Sequence, residues 1–251
     1  MSSDERSENE EEIGSLIEYD EPVQPMVLNV YNVLASAHTG VNIDLDWFTL
    51  NFGNTYYDPQ EFPAARVDVH DKYSNLIITV SVFSNGKIQA TGASTVELTK
   101  KSLKKIVKKM IERGYVKAKL LNFEVHNIQG VIDAGFPVDL RILRDLYEYV
   151  DYEPERNPGL KIRIPVLYIN DQDVNPEYLQ RKLLSHLYND AGNRIRNKST
   201  RSRGNSKDKI EIVTLTIHFS GKIGMAGAKT VKSLEDVLMY IKPYLIRSKL
   251  V

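Results

Sequence analysis

Apolar and polar positions alternate clearly from Leu76 to Thr91, where the run Leu76 to Phe83 breaks at Ser84-Asn85-Gly86-Lys87 and resumes at Ile88. Alternation on both sides of an Asn-Gly pair predicts two strands joined by a tight hairpin. The pattern recurs around Ser220-Gly221, with Ile217-His218-Phe219 before it and Lys222-Ile223 after it. Each copy ends on a Gly-Ala step, Gly92-Ala93 or Gly227-Ala228, that leads into a helix. Upstream, Val27 to Ala37 is mildly alternating, as a half-buried strand would be. A short helical stretch over Leu45 to Leu50, a Tyr57-Asp58-Pro59 turn and a strand from Ala64 to Val69 follow. Leu98, Leu103, Ile106, Val107 and Met110 fall at helical spacing between Glu97 and Arg113, and Gly114 supplies a stop. A last helix is expected over Val231 to Tyr240, with Pro243 beyond it.

The second half replays the first. Tyr31-Asn32-Val33 returns as His126-Asn127-Ile128 and Tyr57-Asp58-Pro59 as Tyr152-Glu153-Pro154, each 95 residues later. A constant offset is the mark of an internal repeat. The hairpin echo lies 135 residues on, from Gly92 to Gly227, so about 40 extra residues are inserted between Pro165 and Ile210. Pro176 to Tyr188 of that insertion reads as a helix, and Arg194 to Lys209 as a flexible basic loop. The expected organisation is an acidic tail at 1–25, a first repeat at 26–119 and a second at 120–251, with the insertion at about 166–209. Each repeat runs strand, helix, four strands, long helix. Two such halves related by a pseudo-twofold make an α+β fold: one long curved antiparallel sheet, helices on its convex face and the other face uncovered.

Composition adds limits. Hydrophobic residues at 42% and charged residues at 26% suit a soluble globular protein, and no apolar run approaches a membrane span. The acidic N-terminus is unlike a secretory signal, so an intracellular location is expected. The absence of cysteine excludes disulfides, thiolate metal sites and a cysteine nucleophile. The whole chain has formal net charge +0, but residues 1–25 hold nine acidic residues against Arg6 alone. The remainder therefore carries surplus positive charge, which points to an anionic partner; the tail either solvates the protein or folds back to compete for the basic surface. No constellation for catalysis is present: Asp44 and Asp46 sit at a helix start where carboxylates cap, and the five histidines lack metal-ligand spacing. No enzyme activity, cofactor or metal is expected.

Taken together these motifs resemble the core of the TATA-box-binding protein family. Its "SGK…TGAK" signatures correspond to Ser84-Asn85-Gly86-Lys87 with Thr91-Gly92-Ala93, and to Ser220-Gly221-Lys222 with Gly227-Ala228-Lys229. Its "SYEPELFPGL" segment corresponds to Asp151-Tyr152-Glu153-Pro154-Glu155-Arg156-Asn157-Pro158-Gly159-Leu160. The resemblance implies double-stranded, A·T-rich promoter DNA as ligand, bound and bent through the minor groove by apolar wedges, the behaviour for which this family is the standing example. It implies groove contacts from Asn32, Asn127, Thr91, Lys87 and Lys222, wedges at Phe62 and Phe83, and a phosphate contact from Arg163. Taken without the resemblance, an asparagine can equally serve a neighbouring backbone group, and a phenylalanine is more often core.

The second repeat departs from the pattern. Asn157 and His218 stand at its wedge positions, with Phe219 one place along and expected on the opposite strand face unless a bulge intervenes. Gln129 replaces a valine, Ala226 replaces a threonine, and Ser81, Gln89, Thr216 and Gly224 replace aliphatic residues. Glu61 and Asp68 stand where the family has phosphate-binding arginines. The insertion is expected in the family's DNA-straddling loop, where Arg194, Arg196, Arg201 and Arg203 would meet phosphate; a solvated insertion or a partner-docking arm are the alternatives. On the protein side, Glu153 and Glu155 match carboxylates presented to a B-type initiation factor. Lys100, Lys101, Lys104, Lys105, Lys108 and Lys109 match a basic helix used by acidic regulators, although such a helix is commonly just a solvated face. A general transcription-initiation factor in the nucleus, or at the transcription site of a large DNA virus, is one reading. A divergent scaffold or competitor acting mainly through protein partners is the other. Dimerisation through the uncovered face stays open.

Overall fold

The protein was analysed as a computed structural model describing residues 26–147, 150–166 and 211–250. The acidic tail, the helix expected at Pro176–Tyr188 and the basic residues Arg194, Arg196, Arg201 and Arg203 lie outside the described residues. Each half repeats one order. The first runs β1 (Asn29–His38), α1 (Leu45–Asn51), β2 (Thr55–Tyr56), β3 (Ala64–Asp71), β4 (Leu76–Phe83), β5 (Lys87–Ala93) and α2 (Val96–Glu112). The second runs β6 (Leu121–Asp133), α3 (Leu140–Leu146), β7 (Val150–Asp151), β8 (Leu160–Pro165), β9 (Ile212–Ile217), β10 (Lys222–Ala228) and α4 (Val231–Arg247).

All strands join one antiparallel sheet in the order β2-β3-β4-β5-β1-β6-β10-β9-β8-β7. The seam between the halves is the β1–β6 pairing, in which Asn29 faces Val131 and Leu34 faces Asn127. Strand alternation puts one side chain in two beneath the helices: Ile78, Val80 and Val82 in β4, and Val213, Leu215 and Ile217 in β9. Two apolar clusters result. Phe48, Ile88, Leu103, Ile106 and Met110 fill the first, under α1 and α2. Ile128, Ile132, Leu143, Leu160, Ile162 and Ile164 fill the second, with α3 and α4. Each such side chain, wholly withdrawn from water, contributes on the order of 1.5–3 kcal/mol.

The helices start where the sequence offers an oxygen. Thr95 accepts from the Leu98 N–H (3.1 Å), and Thr230 accepts from the Ser233 N–H (3.0 Å) in the equivalent place. Asp44 accepts from the Trp47 N–H (3.0 Å) and Asp139 from the Arg141 N–H (2.8 Å), so both acids are caps.

The last helix does not end at Tyr240. It continues to Arg247 with Pro243 inside it. Pro243 is exposed and removes the bond to the Met239 carbonyl, but Met239 is itself exposed, so that carbonyl is left toward solvent. Ile241 and Leu245, fully buried, hold the helix to the sheet on either side of the proline.

The insertion joins β8 to β9. Pro165 faces Ile212, and the Val166 N–H donates to the Glu211 carbonyl (2.9 Å), so the insertion leaves and returns at the β8–β9 turn. Asn157 and His218 lie by the other end of that hairpin, where Leu160 faces Ile217.

Candidate nucleic-acid interface

The sheet face away from the helices carries two equivalent rows of side chains. One crosses five strands as Arg163, Thr214, Ala226, Gln129 and Asn32, each the Cα partner of the next. Its pseudo-twofold mate comprises Asp68, Thr79 and Thr91 on one side and Leu34 paired with Asn127 on the other. The rows occupy equivalent places, but where Ala226 pairs with Gln129 in one, the β1–β5 register shifts between Val33 and Ala35 in the other, so the Asp68 row is interrupted between Thr91 and Leu34. Chemistry agrees only at the threonines, Thr214 and Thr79, and at the asparagines.

At the centre, Asn32 and Asn127 are held by the same device. The Gly92 N–H donates to Asn32 Oδ1 (2.8 Å), and the Gly227 N–H donates to Asn127 Oδ1 (2.7 Å). Both asparagines thus serve a neighbouring backbone group, and because an N–H can only donate, both carbonyl oxygens are fixed in orientation. The environments then diverge. Thr91 Oγ1 also donates to Asn32 Oδ1 (3.0 Å), and Asn32 Nδ2 donates to Gln129 Oε1 (2.9 Å). Asn127 has Ala226 in place of that threonine and Leu34 in place of that glutamine.

Phe62 and Phe83 sit together at the outer end of the first half, ring centroids 5.9 Å apart at 64°. Phe83 closes β4 opposite Ala64, and the Arg66 guanidinium lies 5.0 Å over the Phe62 ring. In the second half Asn157 spends its carbonyl on the Gly159 N–H (3.0 Å), and His218 lies against Gly159. Phe219 is on neither strand face. β9 ends at Ile217, so Phe219 falls in the turn, 57% exposed, beside Tyr152, Pro154 and Pro158 in a shallow surface pocket.

Charge on this face is largely engaged. Arg163 pairs with Asp151 (3.5 Å), its side chain only 13% exposed. Asp68 accepts from Thr79 Oγ1 (2.8 Å), and Glu61 pairs with Arg66 (3.6 Å) while accepting from the Tyr56 hydroxyl (3.0 Å). That bond to the Glu61 carboxylate raises the Tyr56 phenol above its ordinary value. Lys87 and Lys222 are exposed at the starts of β5 and β10.

On the helix side, Lys100, Lys101, Lys104, Lys105, Lys108 and Lys109 are all exposed along α2. Lys101 pairs with Asp71 (3.3 Å), and Lys108 is 4.0 Å from Glu112. Asp71 is held at about 2, chiefly by two hydrogen bonds from Ser74 and secondarily by Lys101. Glu153 pairs with Arg156 (3.0 Å), and Glu155 is exposed in the same turn. No cluster of three metal-ligating side chains occurs among the described residues, and no helix there is long and apolar enough to cross a membrane.

Sequence reasoning missed the Gln129–Asn32 bond and the Arg163–Asp151 pair. Gln129 was visible only as a departure from a pattern. Its partner lies 97 positions away in the chain, beyond any local signal.

The fold and face define a class: a duplicated ten-stranded antiparallel sheet, one face covered by helices, the other presenting a central asparagine pair. Residues 27–112 match the family described as "Transcription factor TFIID (or TATA-binding protein, TBP)". The TATA-box-binding protein of Methanocaldococcus jannaschii is 29% identical over 139 residues, 55% of this chain and 73% of that protein. That of Caenorhabditis elegans is 26% identical over 215 residues, covering 85% of this chain and 49% of the relative. For the Acanthamoeba castellanii protein the figures are 30% identity, 55% and 52%, so the chain spans about half the length of these last two relatives. The solved Methanococcus jannaschii TBP superposes with a TM-score of 0.59 at 22% identity, over 87% of this chain and 98% of that one, and shares the fold. The chain is similar in sequence to TATA-box-binding proteins and shares their fold.

Proposed function

We propose that the chain is a non-enzymatic transcription-initiation factor that binds double-stranded DNA on its uncovered sheet face and bends it through the minor groove. The observation that carries this reading is the central asparagine pair. Two amides on the uncovered face, their carbonyls engaged by the Gly92 and Gly227 N–H groups, keep N–H donors suited to the acceptors that A·T and T·A both show in that groove. Phe62 and Phe83 supply the apolar wedge at one end. Lys87 and Lys222 contribute phosphate contacts, and Arg163 does so where it can leave Asp151. The basic residues of the insertion, which leaves the sheet at the β8–β9 turn, add further phosphate contacts. Glu153 and Glu155 dock a B-type initiation factor, and the α2 lysines receive acidic regulators, in the nucleus or at a viral transcription site.

A second reading has specific support. With Asn157 and His218 at the second wedge and carboxylates at Glu61 and Asp68, the same surface fits a scaffold that binds DNA weakly and works through protein partners.

Titrating A·T-rich and scrambled duplexes at several salt concentrations, with end-to-end fluorescence transfer reporting the bend, separates the two. The first reading expects preferential, bent binding; unbent or sequence-blind binding favours the second. Affinity should fall with salt by about 0.9 log units per log unit for each phosphate neutralised, and deleting 194–209 should flatten that slope. An unchanged slope would remove the insertion from the interface. Glu153→Arg should abolish binding of a cognate B-type factor while leaving the duplex titration unaltered; retained binding would retire that assignment.

A further inference from the structure

The lysines of α2 stand in two columns. Lys100, Lys104 and Lys108 follow one another at four-residue spacing, Lys101, Lys105 and Lys109 run beside them, and all six are exposed. Like charges four residues apart on a helix repel and weaken it, so helix stability does not call for such an array. Nor does the fold. Counted from the equivalent caps Thr95 and Thr230, the mates on α4 are Glu235, Asp236, Met239, Tyr240, Pro243 and Tyr244, none of them basic. Among the described residues Lys101 and Lys108 meet carboxylates, at Asp71 and Glu112, while Lys100, Lys104, Lys105 and Lys109 meet none.

The chain holds a segment of matching charge. Residues 1–25 carry nine carboxylates against Arg6, a formal net charge of −8 (nine minus one). They join the described structure at Met26, and both Met26 and Leu28 pack against the apolar cluster beneath α3 and α4. Leu28 and Leu234 of α4 both lie against Gly130, so the chain enters β1 from the helix side of the sheet, the side that carries α2. Twenty-five residues reach up to about 80 Å when extended. Ten strands spaced about 4.8 Å apart measure only roughly 43 Å across, so α2 is within reach. The uncovered face offers less free positive charge: Arg66 pairs with Glu61, Arg163 with Asp151, and Lys222 has Asp133 as its Cα partner.

We propose that residues 1–25 dock on the lysine columns of α2 in the same chain and hold that face until an acidic partner displaces them. The inference rests on the reading of α2 as a face for acidic segments. Tethering keeps the tail at an effective concentration on the order of millimolar, so a regulator of equal intrinsic affinity supplied at lower concentration is kept off. The attraction joins exposed charges, and the Debye length falls from about 10 Å at 0.1 M salt to about 3 Å at 1 M, so salt releases the tail.

The test treats the full chain with a zero-length carboxyl-to-amine cross-linker and maps the joined peptides. Equal parts of isotope-labelled and unlabelled protein separate links within a chain from links between chains, and the Lys232–Asp236 pair, 2.8 Å apart, is the internal standard. Tail carboxylates should link to the α2 lysines more than to all other lysines together, within one chain, and these links should fade by about 1 M salt. Lys104→Glu, Lys105→Glu and Lys109→Glu combined should cut tail links to Lys100, Lys101 and Lys108 at least about 5-fold and leave the standard unaltered. Tail links chiefly to Lys87, Lys161 or Lys222 on the uncovered face, chiefly to Lys198, Lys207 or Lys209 of the insertion, or chiefly between chains would each overturn the inference, as would the absence of tail links. A second measurement uses a labelled synthetic peptide of residues 1–25. It should bind the full chain carrying Glu8→Gln, Glu10→Gln, Glu11→Gln and Glu12→Gln about 10-fold more tightly than the unmodified chain, whose own tail competes. Equal affinity overturns the inference and leaves α2 as a face for acidic regulators. If the peptide binds neither chain, that reading of α2 fails and this inference with it.

Discussion

Replacing Phe83 with alanine should remove most of the DNA bend and weaken binding by about 10- to 100-fold, while His218→Ala should change either by little. A wedge must recover the stacking lost when a base step opens, and an aromatic face against a base contributes on the order of 1–3 kcal/mol. Phe83 and Phe62 form an edge-to-face pair that places two rings at one spot, and Arg66 over the Phe62 ring limits its movement. Alanine offers neither area nor π surface. His218 lies against Gly159 with Asn157 beside it, and Asn157 has its carbonyl committed to the chain. Neither can open a base step at comparable gain. Phe83 belongs to neither buried cluster, so Phe83→Ala should fold normally, which thermal unfolding would verify. The bend is read by fluorescence transfer across the duplex for each variant. Similar losses for Phe83→Ala and His218→Ala would mean that the two halves deform DNA alike.

How far the chain could be read without its structure depends on the range of each interaction. Turn chemistry and helix periodicity act over a few residues, and they located both hairpins, α2 and the start of α4. The 95-residue offset between Asn32 and Asn127 then predicted the arrangement of halves, and the ten-stranded order across the β1–β6 seam is that arrangement. β2 and β7, two residues each, exist only because β3 and β8 provide edges to pair with, and no pattern of two residues can announce that. Pro243 misled for a related reason: local rules end a helix near a proline, but buried Ile241 and Leu245 outweigh one lost bond at an exposed site. At the open face, residue types were legible and their pairings were not. Gln129 bonding Asn32, and Asp151 holding Arg163, join positions from different strands, and each changes what the functional group can offer. The sequence alone therefore showed which side chains differ between the halves, but not which of them bond the asparagines.

Gly221→Ala should destabilise the protein by about 3 kcal/mol or more, whereas Gly224→Ala, three residues along, should be neutral or slightly stabilising. Gly221 has φ +83°, a conformation that L side chains rarely adopt, and an added Cβ would lie 2.1 Å from the Phe136 carbonyl oxygen. That oxygen cannot easily retreat. The Ala134 N–H donates to the Gly221 carbonyl (3.0 Å) and the Val138 N–H to the Phe219 carbonyl (2.9 Å), tying the segment around Phe136 to the turn on both sides. The first half repeats the device, with Thr39 N–H to Gly86 O (2.8 Å), Ile43 N–H to Ser84 O (2.8 Å), and a Cβ on Gly86 meeting the Val41 carbonyl oxygen at 2.1 Å. Gly224 has open space around it and ordinary φ, so alanine there only reduces the freedom of the unfolded chain. At about 2–4 °C per kcal/mol for a chain of this size, calorimetry should show Gly221→Ala melting roughly 6–12 °C lower. A shift within 2 °C of the unmodified chain would show that the turn yields to a side chain. The comparison also bears on the open face, since Gly86→Ala should cost as much as Gly221→Ala if the scaffold is symmetric in energy as well as in layout. Equal costs there, together with unequal effects of Phe83 and His218 on the bend, would locate the asymmetry of this protein in the side chains of one sheet face and not in the backbone that presents them.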